Sequence, residues 1–424
     1  MSIAVLRSIK PPLRNFLVNS IVFCMASTLS LFICDGALSL FNFPPVLPQR
    51  ISHPKNFEEI RNNIEFHYVF KTNDHGLRYR NIPTEPAGSS HRIFVSGDSF
   101  VEGEGIDEGK RFTDLLEDEF STSSESVLFI NGGLASTGPL EYGRLFQHVG
   151  LKYNPEGLLI CLFVNDVADT PAELAQNGLI ESYRFRSGIK KHAYSFWPHI
   201  YTLLQEVKFR REYRNKTRTS DFISAIVRQA EKQNISPARI SAWRASLPQD
   251  LVKAVNRGEF NGAILSLGLL YPRFWSDSID LSSDLAMKKW QNMTLLLSKI
   301  LERAEQSAVE TGVVLLPAPF MYDPKKHSEK NPWIIAGTEI HERWLWEDTE
   351  LQKRLRIWTK EKNVPYLDLT ALFRKTIQSN KNPDWELDGH WNNLGHQVAA
   401  KAIASWLVDQ HVYSFIKNNS VANR

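Results

Sequence analysis

Residues 157 to 164 read Gly-Leu-Leu-Ile-Cys-Leu-Phe-Val, eight positions with no polar side chain. A strand of this kind is buried on both faces, which in soluble folds happens in parallel sheets covered by helices on each side. Other β-rich runs share its setting: Arg92–Gly97, Val127–Ile130, Gly312–Leu316 and Val364–Asp368. Between them apolar residues fall at helical spacing, as in Phe112, Leu115, Leu116 and Phe120, and in helices expected near 288–307, 350–362 and 394–407. Five strands alternating with helices, joined by right-handed crossovers, give an α/β fold: a three-layer α/β/α sandwich around a five-stranded parallel sheet. Ligands of such sheets bind beyond the C-terminal ends of the strands.

The rhythm is broken twice. Between residues 171 and 285 it gives way to basic and aromatic stretches, including Lys208, Arg210, Arg211 and Arg214, and to helices expected at 222–233 and 238–255. This reads as a helical insertion or cap, whose basic run is a solvated helix face or one turned to anionic lipid or glycan. At the other end, Asn15 to Cys34 are twenty residues without a charge, enough at about 1.5 Å per residue to cross roughly 30 Å of hydrocarbon. Arg7, Lys10 and Arg14 precede this stretch and Asp35 follows it, so the positive-inside rule places the N-terminus in the cytoplasm. The stretch exceeds a signal-peptide h-region and no clean small-residue cleavage site follows. The expected organisation is an anchor over 1–42, a linker and N-terminal extension over 43–88, a discontinuous α/β domain over 89–170 and 286–415, the insertion over 171–285, and a tail over 416–424. In a bacterium the protein would be a single-pass inner-membrane protein facing the periplasm.

The charge balance, 50 Lys and Arg against 47 Asp and Glu, makes no field that would draw nucleic acid, and no nucleic-acid motif is present. Two of the three cysteines lie within the first 34 residues, leaving Cys161 alone downstream, so neither an intrachain disulfide nor a cysteine zinc site fits there.

The polar residues worth weighing sit where strands end. Ser99, in Gly97-Asp-Ser99, lies on the turn into a helix, where N–H groups favour developing negative charge, although an N-cap serine looks the same. Asn131-Gly-Gly-Leu-Ala-Ser136-Thr-Gly138 reads as a loop able to present amides; Asn165 follows the third strand. Before the last helix comes Asp388-Gly-His390, a carboxylate placed to orient an imidazole, or else an ordinary turn. The fold would bring Ser99, Asn165, Asp388 and His390 together, the types of residue that a serine nucleophile and its base require. Asp98, Asp166 and Asp384 read as capping or turn residues.

In these blocks, over about 90–170 and 310–410, the chain resembles the SGNH, or GDSL-type, serine hydrolase superfamily, whose sheet is flavodoxin-like. The resemblance implies Ser99 as nucleophile, His390 as base, Asp388 as the residue orienting it, and an oxyanion hole from the Ser99 amide, the Asn165 side chain and the backbone at Ser136. It implies no cofactor and no metal. Three departures stand out: Ser136 replaces the family's oxyanion glycine, with Gly133 and Gly138 as neighbours; Val164 replaces another glycine; and the Asp-x-x-His spacing is shortened to Asp388-x-His390. The shorter spacing is similar to that of the branch containing membrane-associated polysaccharide O-acetyltransferases, such as those acting on alginate. Asn73-Asp-His-Gly-Leu-Arg78 is similar to a stretch in bacterial members of this kind. The implied activity is acyl-ester hydrolysis, or acyl transfer to a glycan hydroxyl, on an acylated small molecule or glycan, with polysaccharide-pathway membrane proteins as partners of a transferase. Two other classes compete. A degenerate glycan-binding module would use the Trp333–Trp346 segment, and a metallophosphoesterase would use Asp98, Asp388 and His390 as ligands, against the chain order of that family.

Overall fold

The computed structural model describes residues 11–40, 51–85, 90–121, 126–174, 188–215, 222–328 and 330–416. They fall into two units, one built from the N-terminal helix with part of the 182–216 stretch, the other from everything else. The region expected as one insertion is thus divided between them. Arg7, Lys10 and the 416–424 tail beyond Ile416 lie outside the described residues.

In the first unit a single helix runs from Pro11 to Leu40, and Val18–Leu40 is long and apolar enough to cross a membrane. The helix continues through Asp35, which sequence reading placed at its flank. The Asp35 carboxylate is buried and accepts the N–H of Ile200 at 2.8 Å, in the first turn of the helix Pro198–Asn215. A carboxylate there satisfies an otherwise unpaired helix-terminal donor.

The second unit holds a two-stranded antiparallel hairpin, β1 (Glu58–Asn62) with β2 (His67–Lys71), and a five-stranded parallel sheet: β3 (Ser90–Gly97), β4 (Ser126–Gly133), β5 (Gly157–Phe163), β6 (Glu310–Leu316) and β7 (Tyr366–Asp368). Spatial order is β4-β3-β5-β6-β7, the expected α/β arrangement with helices flanking the sheet. The chain moves outward from β3 to β4 and then returns past β3 to β5. With right-handed crossovers this reversal sends the helices Phe112–Phe120 and Pro139–His148 to opposite faces. It also makes the gap between β3 and β5 the switch point, beyond which ligands bind. Every residue of β5 is buried, as its uniform apolarity requires.

Three local differences have physical causes. β4 continues through Asn131-Gly132-Gly133, which sequence reading gave to a loop; a Cβ on Gly133 would lie 2.0 Å from the Glu102 backbone nitrogen, so these glycines serve close packing. β7 begins only at Tyr366, because Pro365 has no N–H for the ladder. The helix expected over 238–255 is two, Pro237–Ser246 and Gln249–Asn256, parted at Leu247-Pro248. The hairpin was not foreseen.

Candidate active site

Ser99 opens a one-turn helix, Ser99–Glu102, directly after β3. The turn is tight because Gly97 allows it: a Cβ there would meet the Val101 side chain at 2.3 Å and the Cys161 carbonyl at 2.9 Å. Asp98 is buried and its Oδ1 accepts the Phe100 N–H at 3.0 Å, the capping role expected of it; burial pushes its carboxyl up to about 6.

His390 Nε2 lies 2.8 Å from Ser99 Oγ, and His390 Nδ1 lies 2.5 Å from Asp388 Oδ1. In the neutral imidazole the partners set the tautomer: Nδ1 carries the proton toward the carboxylate, leaving Nε2 to accept from the hydroxyl. Gly389 adopts φ 87°, the left-handed region, which folds Asp388 and His390 toward each other across a single residue. Burial by itself would lower the imidazole, but the Asp388 charge and hydrogen bond outweigh it, and His390 is raised from 6.5 to about 9.

Asp388 and His390 do not sit at a strand end, as the sequence suggested. Twenty positions and the helix Thr370–Gln378 separate Asp388 from the end of β7. Their loop is instead anchored by Trp391, fully buried and stacked on Phe373 at 4.8 Å, and by Lys326, whose Nζ pairs with Asp384 at 2.6 Å and donates to the Glu386 carbonyl at 2.7 Å.

A cavity of about 250 Å³ opens on Ser99 and His390 and is also lined by Asn165 and Ser136. Asn165 Nδ2 donates to Asp169 Oδ2 at 2.8 Å, so one of its two amide hydrogens is already engaged. Ser136 has φ 61°, a conformation glycine adopts more freely, and the loop holding it is tied to β3 by Leu134 N–H to the Gly97 carbonyl at 3.0 Å. Much of the remaining lining is aromatic, with Phe163, Trp275, Phe320 and Trp333, and it includes Leu267 from the helix Gly262–Leu270. The 222–281 part of the expected insertion therefore contributes to the site. Of the Trp333–Trp346 stretch, Trp333 lines the cavity, Trp344 is core and Trp346 is exposed.

The carboxylates thought to be structural are engaged as such. Asp166 is buried, accepting from the Tyr142 hydroxyl at 2.8 Å and the Phe163 N–H at 3.0 Å, and burial holds it well above the ordinary range. Asp384 pairs with Lys326 and accepts from Tyr322. Among the described residues no group of three His, Cys, Asp or Glu side chains could hold a metal ion.

Sequence reasoning missed the supports contributed by residues 51–85. Glu102, fully buried beneath Ser99, is met by His53 Nε2 at 2.8 Å, Arg61 Nη1 at 3.1 Å and the Ala135 N–H at 2.7 Å. Burial would raise this carboxylate, but these partners hold it far below 4.5. Arg78, from the Asn73–Arg78 stretch, donates to the carbonyls of Glu102, Gly103 and Ile106. At the hairpin tip, Glu65 and Asn63 reach the Asp388 loop. Besides the Asn73–Arg78 resemblance, the available signal was the alternation around Tyr68 and Phe70, buried between exposed neighbours in β2.

No family model matches the chain, and no curated protein matches it. Solved structures similar to it include a member of the lipolytic protein G-D-S-L family from Veillonella parvula DSM 2008, at 10% identity and TM-score 0.33 over 77% of this chain and 100% of that one. An acetyl xylan esterase is similar at 8% identity and TM-score 0.34, over 75% and 100% of the two chains. A catalytic mutant of an acetylxylan esterase from Geobacillus stearothermophilus is similar at 10% identity and TM-score 0.35, over 76% and 96%.

Proposed function

We propose that the protein is a serine-dependent acyl-ester hydrolase with Ser99 as nucleophile, His390 as general base and Asp388 as its orienting carboxylate. The observation that carries this is the hydrogen-bonded row from Ser99 Oγ through the imidazole to Asp388, 2.8 Å and 2.5 Å long, facing a cavity at the switch point of the sheet. Ser99 Oγ attacks the acyl carbonyl as its proton passes to His390 Nε2, and Asp388 stabilises the imidazolium. The oxyanion is met by the Ser99 amide, the remaining Asn165 N–H and the backbone around Ser136. His390 returns the proton to the departing alkoxide, and water repeats the sequence on the acyl-enzyme.

The substrate class is an O-acylated small molecule or glycan. The apolar helix is the anchor, with the catalytic unit on the periplasmic side of a bacterial inner membrane, as the charges around 15–34 imply. A second reading, O-acetyl transfer to a polysaccharide alongside membrane partners of that pathway, uses the same residues for acyl-enzyme formation. Trp333, half-buried on the cavity wall, suits the apolar face of a sugar, whether that sugar carries the ester or accepts the acyl group.

The test is the full chain in detergent, given p-nitrophenyl acetate with and without an oligosaccharide acceptor, and a fluorophosphonate probe. Turnover and labelling that both disappear in Ser99→Ala are expected; acetylated oligosaccharide as product selects the transferase. A folded protein that neither labels nor turns over would return the site to glycan binding without catalysis.

A further inference from the structure

The tip of the β1–β2 hairpin makes contacts that folding alone does not call for. Glu65 Oε2 accepts the Asp388 N–H at 2.7 Å, and its two oxygens share the Leu387 N–H at 3.0 and 3.1 Å. Asn63 Nδ2 donates to Asp388 Oδ2 at 3.3 Å. The other Asp388 oxygen, Oδ1, takes the His390 ring and backbone nitrogens. Both oxygens of this carboxylate and its own backbone N–H are therefore assigned, and the assignments outside the loop come from residues more than three hundred positions earlier.

We propose that Glu65 and Asn63 are positioning residues for the Asp388–His390 pair; the inference rests on the hydrolase reading of that pair. The tip is built to hold them. Asn63 Oδ1 accepts the Glu65 N–H at 3.3 Å, the Asn63 N–H donates to the Phe66 carbonyl at 2.7 Å, and the Phe66 ring lies 5.4 Å from that of Trp385. The Ile64 N–H donates to the Glu259 carbonyl at 2.7 Å, near the start of the helix that supplies Leu267 to the cavity. A carboxylate facing Asp388 and partly withdrawn from water is an unfavourable choice for packing; burial raises its pKa. It is a suitable choice for fixing two adjacent amides of a loop whose Gly389 turn gives no rigidity of its own.

The experiment compares the full chain with Glu65→Ala, Glu65→Gln, Asn63→Ala and, as control, Ile64→Ala, whose side chain is exposed. Acyl-ester kcat falls about 10- to 100-fold in Glu65→Ala with KM little changed, and less in Glu65→Gln, which keeps an acceptor oxygen. Asn63→Ala falls several-fold, the acid limb of its pH profile moves, and Ile64→Ala matches the parent. A readout independent of turnover is the proton on His390 Nδ1, followed by NMR in histidine-labelled protein and assigned by its loss in His390→Ala. In Glu65→Ala and Asn63→Ala it moves upfield or exchanges away. Parental kcat, pH limb and resonance in folded Asn63→Ala and Glu65→Gln would overturn the proposal, and these two decide it if Glu65→Ala does not fold. Absent turnover in the parent with the resonance shifting as described would sink the hydrolase reading and leave the positioning intact.

Discussion

Replacing Asp388 with asparagine isolates what the carboxylate does for the base. Burial pulls the His390 pKa down, yet it stands at about 9 against an ordinary 6.5, so Asp388 and its lesser neighbours supply more than the whole interval. That interval is worth about 3 kcal/mol, at about 1.36 kcal/mol per pH unit. The base works only when neutral. With a pKa of about 9, roughly 1% of it is neutral at pH 7, and the rate rises about tenfold per pH unit until it levels above 9. In Asp388→Asn the retained burial carries the limb to 6.5 or below. The plateau drops as well, because the imidazolium formed during attack loses about 3 kcal/mol of stabilisation, about 10²-fold or more, and an amide in place of the carboxylate favours the wrong tautomer. The assay is the second-order rate of fluorophosphonate labelling of Ser99 between pH 5 and 10, which avoids the alkaline lability of ester substrates. A limb that stays near 9 in Asp388→Asn, or a plateau within tenfold of the parent, would refute the assignment of Asp388.

Two further outcomes follow from named contacts. On the proposed hydrolase reading, Asn165→Ala removes an oxyanion donor and lowers kcat by about 10²- to 10³-fold with little change in KM, measured with p-nitrophenyl acetate; an unchanged kcat would leave the hole to backbone amides alone. Glu102→Gln removes the buried carboxylate charge that meets His53, Arg61 and the Ala135 N–H, while Arg61 keeps Glu59 and Glu104, and destabilises the fold by about 1.5–3 kcal/mol, a melting-temperature drop of about 5 °C by calorimetry. Because the folded-state pKa of Glu102 is depressed, its contribution is present above pH 4.5 and fades as pH falls below it, so parent and variant converge in acid.

The parallel sheet was legible because a strand buried on both faces has to be apolar throughout, as β5 is. Ser99 was legible because it sits on the turn two residues past β3, whose Ile93-Phe94-Val95 run is apolar and buried. The hairpin was not, since β1 and β2 are five residues each with one face exposed, and their burial follows from partners far away in sequence. Gly132 and Gly133 misled for a related reason: flexibility is a property of a glycine alone, whereas the need for close approach, of Gly132 to Phe94 and of Gly133 to Val101 and Glu102, belongs to the packed fold.

The same distinction bears on how the site is held. The sheet fixes Ser99, one residue beyond Asp98 at the end of β3, and by register with β5 it fixes Asn165. It does not fix Asp388 and His390, which arrive on a loop after an intervening helix. A 2.8 Å contact between a strand-held hydroxyl and a loop-held imidazole needs that loop secured from outside the sheet. Trp391 secures it from the core, Lys326 from one flank and the hairpin tip from the other, while His53, Arg61 and Arg78 secure the turn after Ser99. Residues 51–85 therefore touch both ends of the reacting row.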